Sequence, residues 1–351
     1  MQSTRRKRII WALRIVMPLV AIGCLVVFVP WAGVWAWLAP LPDTVQEQVD
    51  AAAGHGLDGI IVYVDRAGEP PGLYAAGWMD RDARVPADAH ALFKIASISK
   101  LYIAAAAAKL AADERLDLDA TLADLLPRFA NRIEHADRIT LRMMLRHRSG
   151  IPNFTDLEGF DWAKRQTDPA DNLALALDRP ADFAPDAQHS YSNTNYLLIG
   201  MILDETLGYP HQDYIRDALL APLGLTHTFA SLNDVDPADV ASGYHHRIDD
   251  DMKPLAYATP GGSMIATAQD VGVFLRTLRD GSLLGEEASA IYAELYDYEH
   301  KGWLPGYYSI ARYHADLDAV VVLLVCNTGD EPELIANVAY KRILRIIDSE
   351  G

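Results

Sequence analysis

The sequence predicts an α/β (α+β) fold: an antiparallel sheet flanked by helices, with an inserted helical lobe, behind an N-terminal transmembrane helix. Three observations point there. Short strand-like apolar runs lie near both ends of the body, and the stretch between them, residues 117–245, reads as helical pieces with polar loops. Apolar helices follow the strands at each end. An uncharged stretch precedes everything else. The first and last parts are therefore expected to share one sheet, as a sheet lobe of about 43–116 and 246–351, with a cleft against the helical lobe of about 117–245.

The elements follow in order. Residues 15–42 are 28 positions without a charge. A helix crosses the hydrocarbon core with ~20 apolar residues. Arg5, Arg6, Lys7 and Arg8 stand before the run, and Trp31, Trp35 and Trp37 stand at its far end. Basic residues keep their end cytoplasmic, and tryptophans favour the interface. The expectation is a cytoplasmic tail (1–14), a membrane anchor (15–42) and an extracytoplasmic body (43–351). A cleaved signal peptide is the rival, but its apolar core is usually ~7–15 residues.

In the body, Gly59–Val64 reads as a buried strand and Gly72–Trp78 as its hairpin partner across Glu69-Pro70-Pro71-Gly72. A helix runs from Ser97 through Ala104–Ala108 to about Ala112, apolar on all sides and so buried. Asn195–Leu207 and Ala266–Leu278 are further helices. Tyr307–Tyr313 and Ala319–Cys326 read as paired strands, the second nearly all valine and leucine. Leu334–Ile347 closes the chain as a helix with one apolar face.

Composition excludes several classes. Half of the 351 residues are apolar and 23% are charged, which rules out a disordered or fibrous chain. Two cysteines, Cys24 and Cys326, cannot build a disulfide framework or a cysteine zinc site. Net charge is −17, and the five basic residues of the first 41 leave −22 on the rest. Such a body repels nucleic acid. His245-His246 with Asp249-Asp250-Asp251 reads as a solvated loop rather than a ligand set, and no G-x-S-x-G elbow is present.

Three short motifs carry chemistry. Ser97-Ile98-Ser99-Lys100 is an S-x-x-K at the start of the buried helix. Its spacing puts both polar groups on one face, where a buried amine of lowered pKa can take the hydroxyl proton. A helix cap followed by a surface lysine is the alternative, and so apolar a helix argues against it. Tyr191-Ser192-Asn193 offers a phenol to relay a proton and an amide to hold substrate, or an ordinary helix cap. His300-Lys301-Gly302 offers a side chain aimed at a cleft and a glycine that admits close approach, or a loop histidine beside a surface lysine.

In this order the three motifs resemble the serine β-lactamase and penicillin-binding protein superfamily, in its class C β-lactamase-like branch. That branch includes D-alanyl-D-alanine carboxypeptidases, D-aminopeptidases and esterases. Leu92–Ser97, His147-Arg148-Ser149-Gly150-Ile151-Pro152, Pro222-Leu223-Gly224-Leu225 and Pro260-Gly261-Gly262 are similar to further family stretches, so the resemblance spans roughly residues 45–345. It implies a β-lactamase/transpeptidase-like fold and an acyl-enzyme mechanism. Ser97 would be the nucleophile, Lys100 its proton acceptor and Tyr191 the general base or shuttle. Asn193, His300 and Gly302 would contact substrate, and the amides of Ser97 and Trp303 would form the oxyanion hole. No cofactor or metal is implied. The expected partners are a small-molecule or peptide substrate and the membrane, not nucleic acid. The third motif departs from the K-T-G of many members: His300 stands for its lysine and Lys301 for its hydroxyl residue. Histidine there leads to an expected activity change around pH 6–7. A catalytically inert ligand-binding or sensor domain is the alternative function.

Overall fold

The computed structural model describes residues 2–164, 168–246, 248–257 and 259–349; Met1 and the side chains of Arg5–Arg8 lie outside the described residues. Two helices stand ahead of the body, α1 (Gln2–Phe28) and α2 (Trp31–Leu38). The expected unbroken span over 15–42 is corrected here. Pro30 lacks an N–H and cannot continue a helix, and α2 leaves at 78°. Among the described residues no single helix is long and apolar enough to cross a membrane; Leu13–Phe28 and Trp31–Leu38 meet the length and composition of a span only together, as a bent pair. Gly33 and Ala36 of α2 are buried against the body.

The body begins with α3 (Val45–Gly54), opened by a capping box between Thr44 and Glu47. Strands β1 (Gly59–Arg66), β2 (Gly72–Asp80) and β3 (Val85–Pro86) follow. A tight turn over Ala96–Ile98 leads into α4 (Ser99–Ala112). The middle holds short helices at Leu122–Leu125, Leu141–Leu145 and Pro169–Ala176, then α5 (Asn193–Leu207), stopped by Gly208 at φ 77°. After it come α6 (Ala268–Asp280) and α7 (Gly285–Leu295). The chain ends in β4 (Glu299–Leu304), β5 (Tyr307–His314), β6 (Ala319–Val325) and α8 (Asp330–Ser349). Helix α7 has no counterpart in the sequence reading. It buries Ala288, Tyr292 and Leu295, an i, i+4, i+7 stripe that the reading of its sequence overlooked.

The sheet runs β3-β2-β1-β6-β5-β4, all antiparallel. The first and last strands meet at its centre, Ile60 opposite Val325 through Arg66 opposite Ala319. Both faces are covered. Ile61, Tyr63, Val320, Val322 and Leu324 point into one core with α4 and α6. Ile60, Val62, Val64, Val321 and Leu323 point into the other with α3 and α8. A strand buried on both sides has no polar alternation, which is why Ala319–Val325 reads as one apolar run. In α4, Ala104–Ala108 are all 0% exposed. Their small side chains let α7 pack closely on the helix that carries the polar pair. Strand β4 is a sheet edge and lies beside the turn that precedes α4.

Candidate active site

Ser97 sits in the Ala96–Ile98 turn, at the foot of α4. Ala96 before it holds φ at +51°, a left-handed conformation uncommon outside glycine. The strain is held by packing. Ser309 Oγ of β5 donates to Ile95 O at 3.1 Å. A Cβ on Gly302 of β4 would lie 2.3 Å from Ile95 O and 2.2 Å from Ser309 Oγ. Gly302 is thus required by the closeness of β4 to the turn, whatever it also offers to a substrate.

Lys100 is fully buried one helical turn on. Its Nζ lies 3.1 Å from Ser97 Oγ, 2.9 Å from Asn193 Oδ1 and 2.7 Å from Gly261 O. No carboxylate offsets its charge, so burial lowers its pKa to about 7. Asn193 Oδ1 and Gly261 O accept two N–H bonds. The neutral amine then has a lone pair left for the Ser97 hydroxyl.

Tyr191 reaches the same oxygen from the other side, its O–H donating to Ser97 Oγ at 2.8 Å. Its ring is 36% exposed. Desolvation of the hydroxyl end raises its pKa, and the bond to Ser97 offsets only part of that. The group is therefore a phenol near neutrality, a donor rather than a standing phenolate. His147 lies beside it, ring centres 4.5 Å apart and planes tilted by 33°, and His147 Nδ1 accepts from Ser192 N at 3.1 Å. Burial, then the Lys100 charge, lowers the His147 pKa to about 2, so this ring is neutral.

His300 lies 6.2 Å from Tyr191, ring to ring, and stacks on Tyr296. Lys301 O only accepts, so His300 Nδ1 carries the proton and donates to it at 2.6 Å. Burial and the Lys100 charge push the His300 pKa down to about 3. The expected titration of His300 around pH 6–7 is corrected: the ring stays neutral throughout that range. Lys301 turns away, with Nζ donating to Asn337 Oδ1 on α8 at 3.0 Å.

Asn193 opens α5, and its own amide donates to Asn153 Oδ1 at 2.9 Å. Trp303 anchors its indole on Glu333 at 2.7 Å. The turn Pro305-Gly306 closes on the Leu304–Tyr307 pair. Successive amides of an antiparallel strand face opposite ways, so the Trp303 N–H points off the free edge of β4.

The cleft at Ser97 has a volume of about 280 Å³ and is walled by Phe154, Phe160, Trp162, Tyr257, Trp303 and Leu304. Trp162, which the sequence left between lining and core, meets Trp303 edge-on at 5.5 Å. Tyr257 O–H donates to Trp162 O at 3.0 Å. Behind Tyr191 and His300 opens a second cleft of about 950 Å³. Sequence reasoning missed Asn153, Gly261 and Lys94. The Pro260-Gly261-Gly262 match was the available signal for Gly261, where a Cβ would lie 3.1 Å from Lys100 Nζ. Lys94 is 2% exposed and donates to the carbonyls of Met252, Lys253 and Leu255 at 2.8–2.9 Å, tying down the loop that leads to Tyr257. Among the described residues, no three His, Cys, Asp or Glu side chains are grouped to hold a metal ion.

Residues 42–307 match the family described as Beta-lactamase. The chain belongs to the beta-lactamase family. Penicillin-binding protein 4 of Amycolatopsis lactamdurans is 30% identical over 249 residues, covering 67% of this chain and 64% of that protein. Protein flp of Staphylococcus aureus (strain MRSA252) is 28% identical over 211 residues, covering 58% of this chain and 42% of that protein. The match thus spans less than two thirds of either relative. The D-amino acid amidase of Ochrobactrum anthropi SV3, solved with L-phenylalanine amide, superposes with a TM-score of 0.78 at 24% identity, over 87% of this chain and 98% of the amidase. The penicillin-binding protein of Bacillus halodurans gives 0.72 at 21% identity, over 88% and 100%. At these identities the structures show a shared fold. This beta-lactamase-family chain shares the mixed α/β architecture of these structures.

Proposed function

We propose that the protein is a serine hydrolase that cleaves an amide or ester through an acyl-enzyme on Ser97. One observation carries this reading: the Ser97 hydroxyl lies between a buried amine of pKa about 7 and a phenol that donates to it. Neutral Lys100 takes the Ser97 proton as Oγ attacks the carbonyl. The Ser97 and Trp303 amides receive the oxyanion, and losing one such donor costs about 2.7–4 kcal/mol of barrier. Tyr191 gives its proton to the leaving group as the bond breaks, and Lys100 restores it. Water then attacks the ester with Lys100, through Tyr191, as base, and Ser97 leaves with the proton. Asn193 and neutral His300 orient the substrate.

The leaving group takes its proton from Tyr191, so it departs toward the larger cleft. The acyl group then occupies the aromatic one, whose apolar walls favour an apolar acyl group. A D-amino acid amidase, a penicillin-binding protein and a hydrolase with promiscuous acyltransferase activity share the fold, and acyl transfer at an amide or ester carbonyl is the chemistry this reading gives Ser97. We further infer single-pass anchoring with the body extracytoplasmic, supported by the uncharged run, the basic cluster before it and its tryptophans.

Intact mass of the full chain in detergent, after exposure to a penicillin, tests the chemistry. A stable adduct that Ser97→Ala lacks is the expected result. No adduct, no penicillin turnover and no hydrolysis of short acyl esters would remove the hydrolase reading in favour of a ligand-binding domain.

A further inference from the structure

Helix α2 has two unlike faces. Gly33 and Ala36 are buried, while Trp31, Trp35, Trp37 and Leu38 are 41%, 58%, 65% and 55% exposed. Trp31, Trp35 and Leu38 follow i, i+4, i+7 spacing, so they form one outward stripe. An eight-residue helix showing that much aromatic surface calls for a covering phase.

Both sides of α2 are fixed. On the body side, Ala32 N donates to Glu331 Oε1 at 3.0 Å. Arg342 donates to Ala39 O at 2.9 Å and also to Pro40 O. Leu334 packs so close to Gly33 that a Cβ there would lie 2.4 Å from it. On the other side, Trp31 Nε1 donates to Leu25 O at 3.1 Å. That bond satisfies a carbonyl freed at the end of α1 and bridges the 78° bend at Pro30. The last turn of α1 is itself bare: Val26, Val27 and Phe28 are 65%, 72% and 78% exposed.

We propose that α2 is an interfacial collar: it lies in the headgroup plane of a lipid bilayer with Trp31, Trp35 and Leu38 toward the acyl chains, and it fixes the tilt of the catalytic body. The proposal rests on the anchoring reading above. With a near-right-angle bend, a helix along the bilayer normal puts the next one in the plane. Leu13–Phe28 at 1.5 Å per residue give a rod of about 24 Å, short of the ~30 Å hydrocarbon thickness, so α1 reaches the membrane's full depth only together with α2 at the interface. Their one charge, Arg14, sits near the cytoplasmic end and can reach the interface with its long side chain. Tryptophan is the side chain that favours this depth, and the absence of charge over 15–42 selects lipid over a polar protein partner.

The test uses full-length protein in vesicles of phosphatidylcholine and phosphatidylglycerol. The background is Cys24→Ser; Cys326 is 2% exposed and takes no label. A nitroxide is placed by Trp35→Cys, or independently by Leu38→Cys, with exposed Glu287→Cys as the aqueous reference. Circular dichroism checks folding. The expected result is co-sedimentation, with oxygen reaching positions 35 and 38 several-fold more than a nickel chelate does, and the reverse at 287. Co-sedimentation with 35 and 38 as nickel-accessible as 287 would overturn the collar and leave the anchor. Absence from the vesicle pellet would overturn both. Dipolar broadening at 35 that vanishes on dilution with lipid would also overturn it, showing that the face meets a second copy.

Discussion

Two buried lysines six residues apart are made alike and used differently. Lys94 and Lys100 are 2% and 0% exposed, and burial lowers both to a pKa of about 7. Each has three partners. Those of Lys94 are all backbone carbonyls, with the charge of Asp251 also acting to raise its pKa. Carbonyls accept hydrogen bonds and exchange no protons, so this amine can only hold a loop. One partner of Lys100 is a hydroxyl, and no carboxylate competes for the ammonium. A depressed pKa alone therefore does not mark an acid–base group. What decides is whether a neighbour has a proton to give.

Replacing the lysines separates the two roles. Lys100→Met is expected to cut kcat/KM toward a test ester by about 10²–10⁴-fold, the range for losing a positioned base, while the fold survives by circular dichroism. Lys94→Met is expected to act mainly on stability. It orphans three carbonyls at roughly 1–3 kcal/mol each where they stay dry, so the melting temperature falls and KM rises more than kcat drops. Equal kcat losses in the two variants would erase the distinction.

The pH dependence sharpens it. Lys100 must be neutral to accept a proton, so kcat/KM is expected to fall as pH drops through about 7. His300→Asn is expected to leave that midpoint in place, since His300 is already neutral; a midpoint that moves with the variant would restore the histidine to the titration. Stability runs the same way. A folded pKa of about 7 lies below the unfolded ~10.4, so the unfolded chain binds the extra protons between them. Each lysine then makes stability rise with pH over that window, and each Met variant should flatten the slope of urea midpoints against pH. The smallest effect is expected from Gly261→Ala. Its new methyl would crowd Lys100 Cγ and Nζ, at 3.0 and 3.1 Å. Activity should drop several-fold while the three Lys94 hydrogen bonds, at Met252, Lys253 and Leu255, stay in place.

The sequence made the candidate site legible because its geometry is local. Ser97 and Lys100 are one helical turn apart, and the apolar helix around them foretold burial. The central strands were legible because Ala319–Val325 is buried on both faces. What escaped depends on distant contacts. Gly261 reaches Lys100 across 161 positions, and Asn153 meets the Asn193 amide across 40. The His300 shift comes from burial and a neighbouring amine, which residue identity does not encode. The break at Pro30 lay in plain view, but an apolar run hides a bend, since hydropathy carries no direction.

The bond from Ser309 to Ile95, with Gly302 pressed against the same carbonyl, has a mechanical consequence. It welds the nucleophile turn to the edge strand, so one jaw of the cleft is an extension of the rigid sheet. The opposite jaw is made of loops near 152–162 and 252–262, one of them tied by three hydrogen bonds from a single lysine. Loops open at lower free energy than core strands. Any yielding to a bulky acyl group therefore falls to the loop jaw, while the serine keeps its aim.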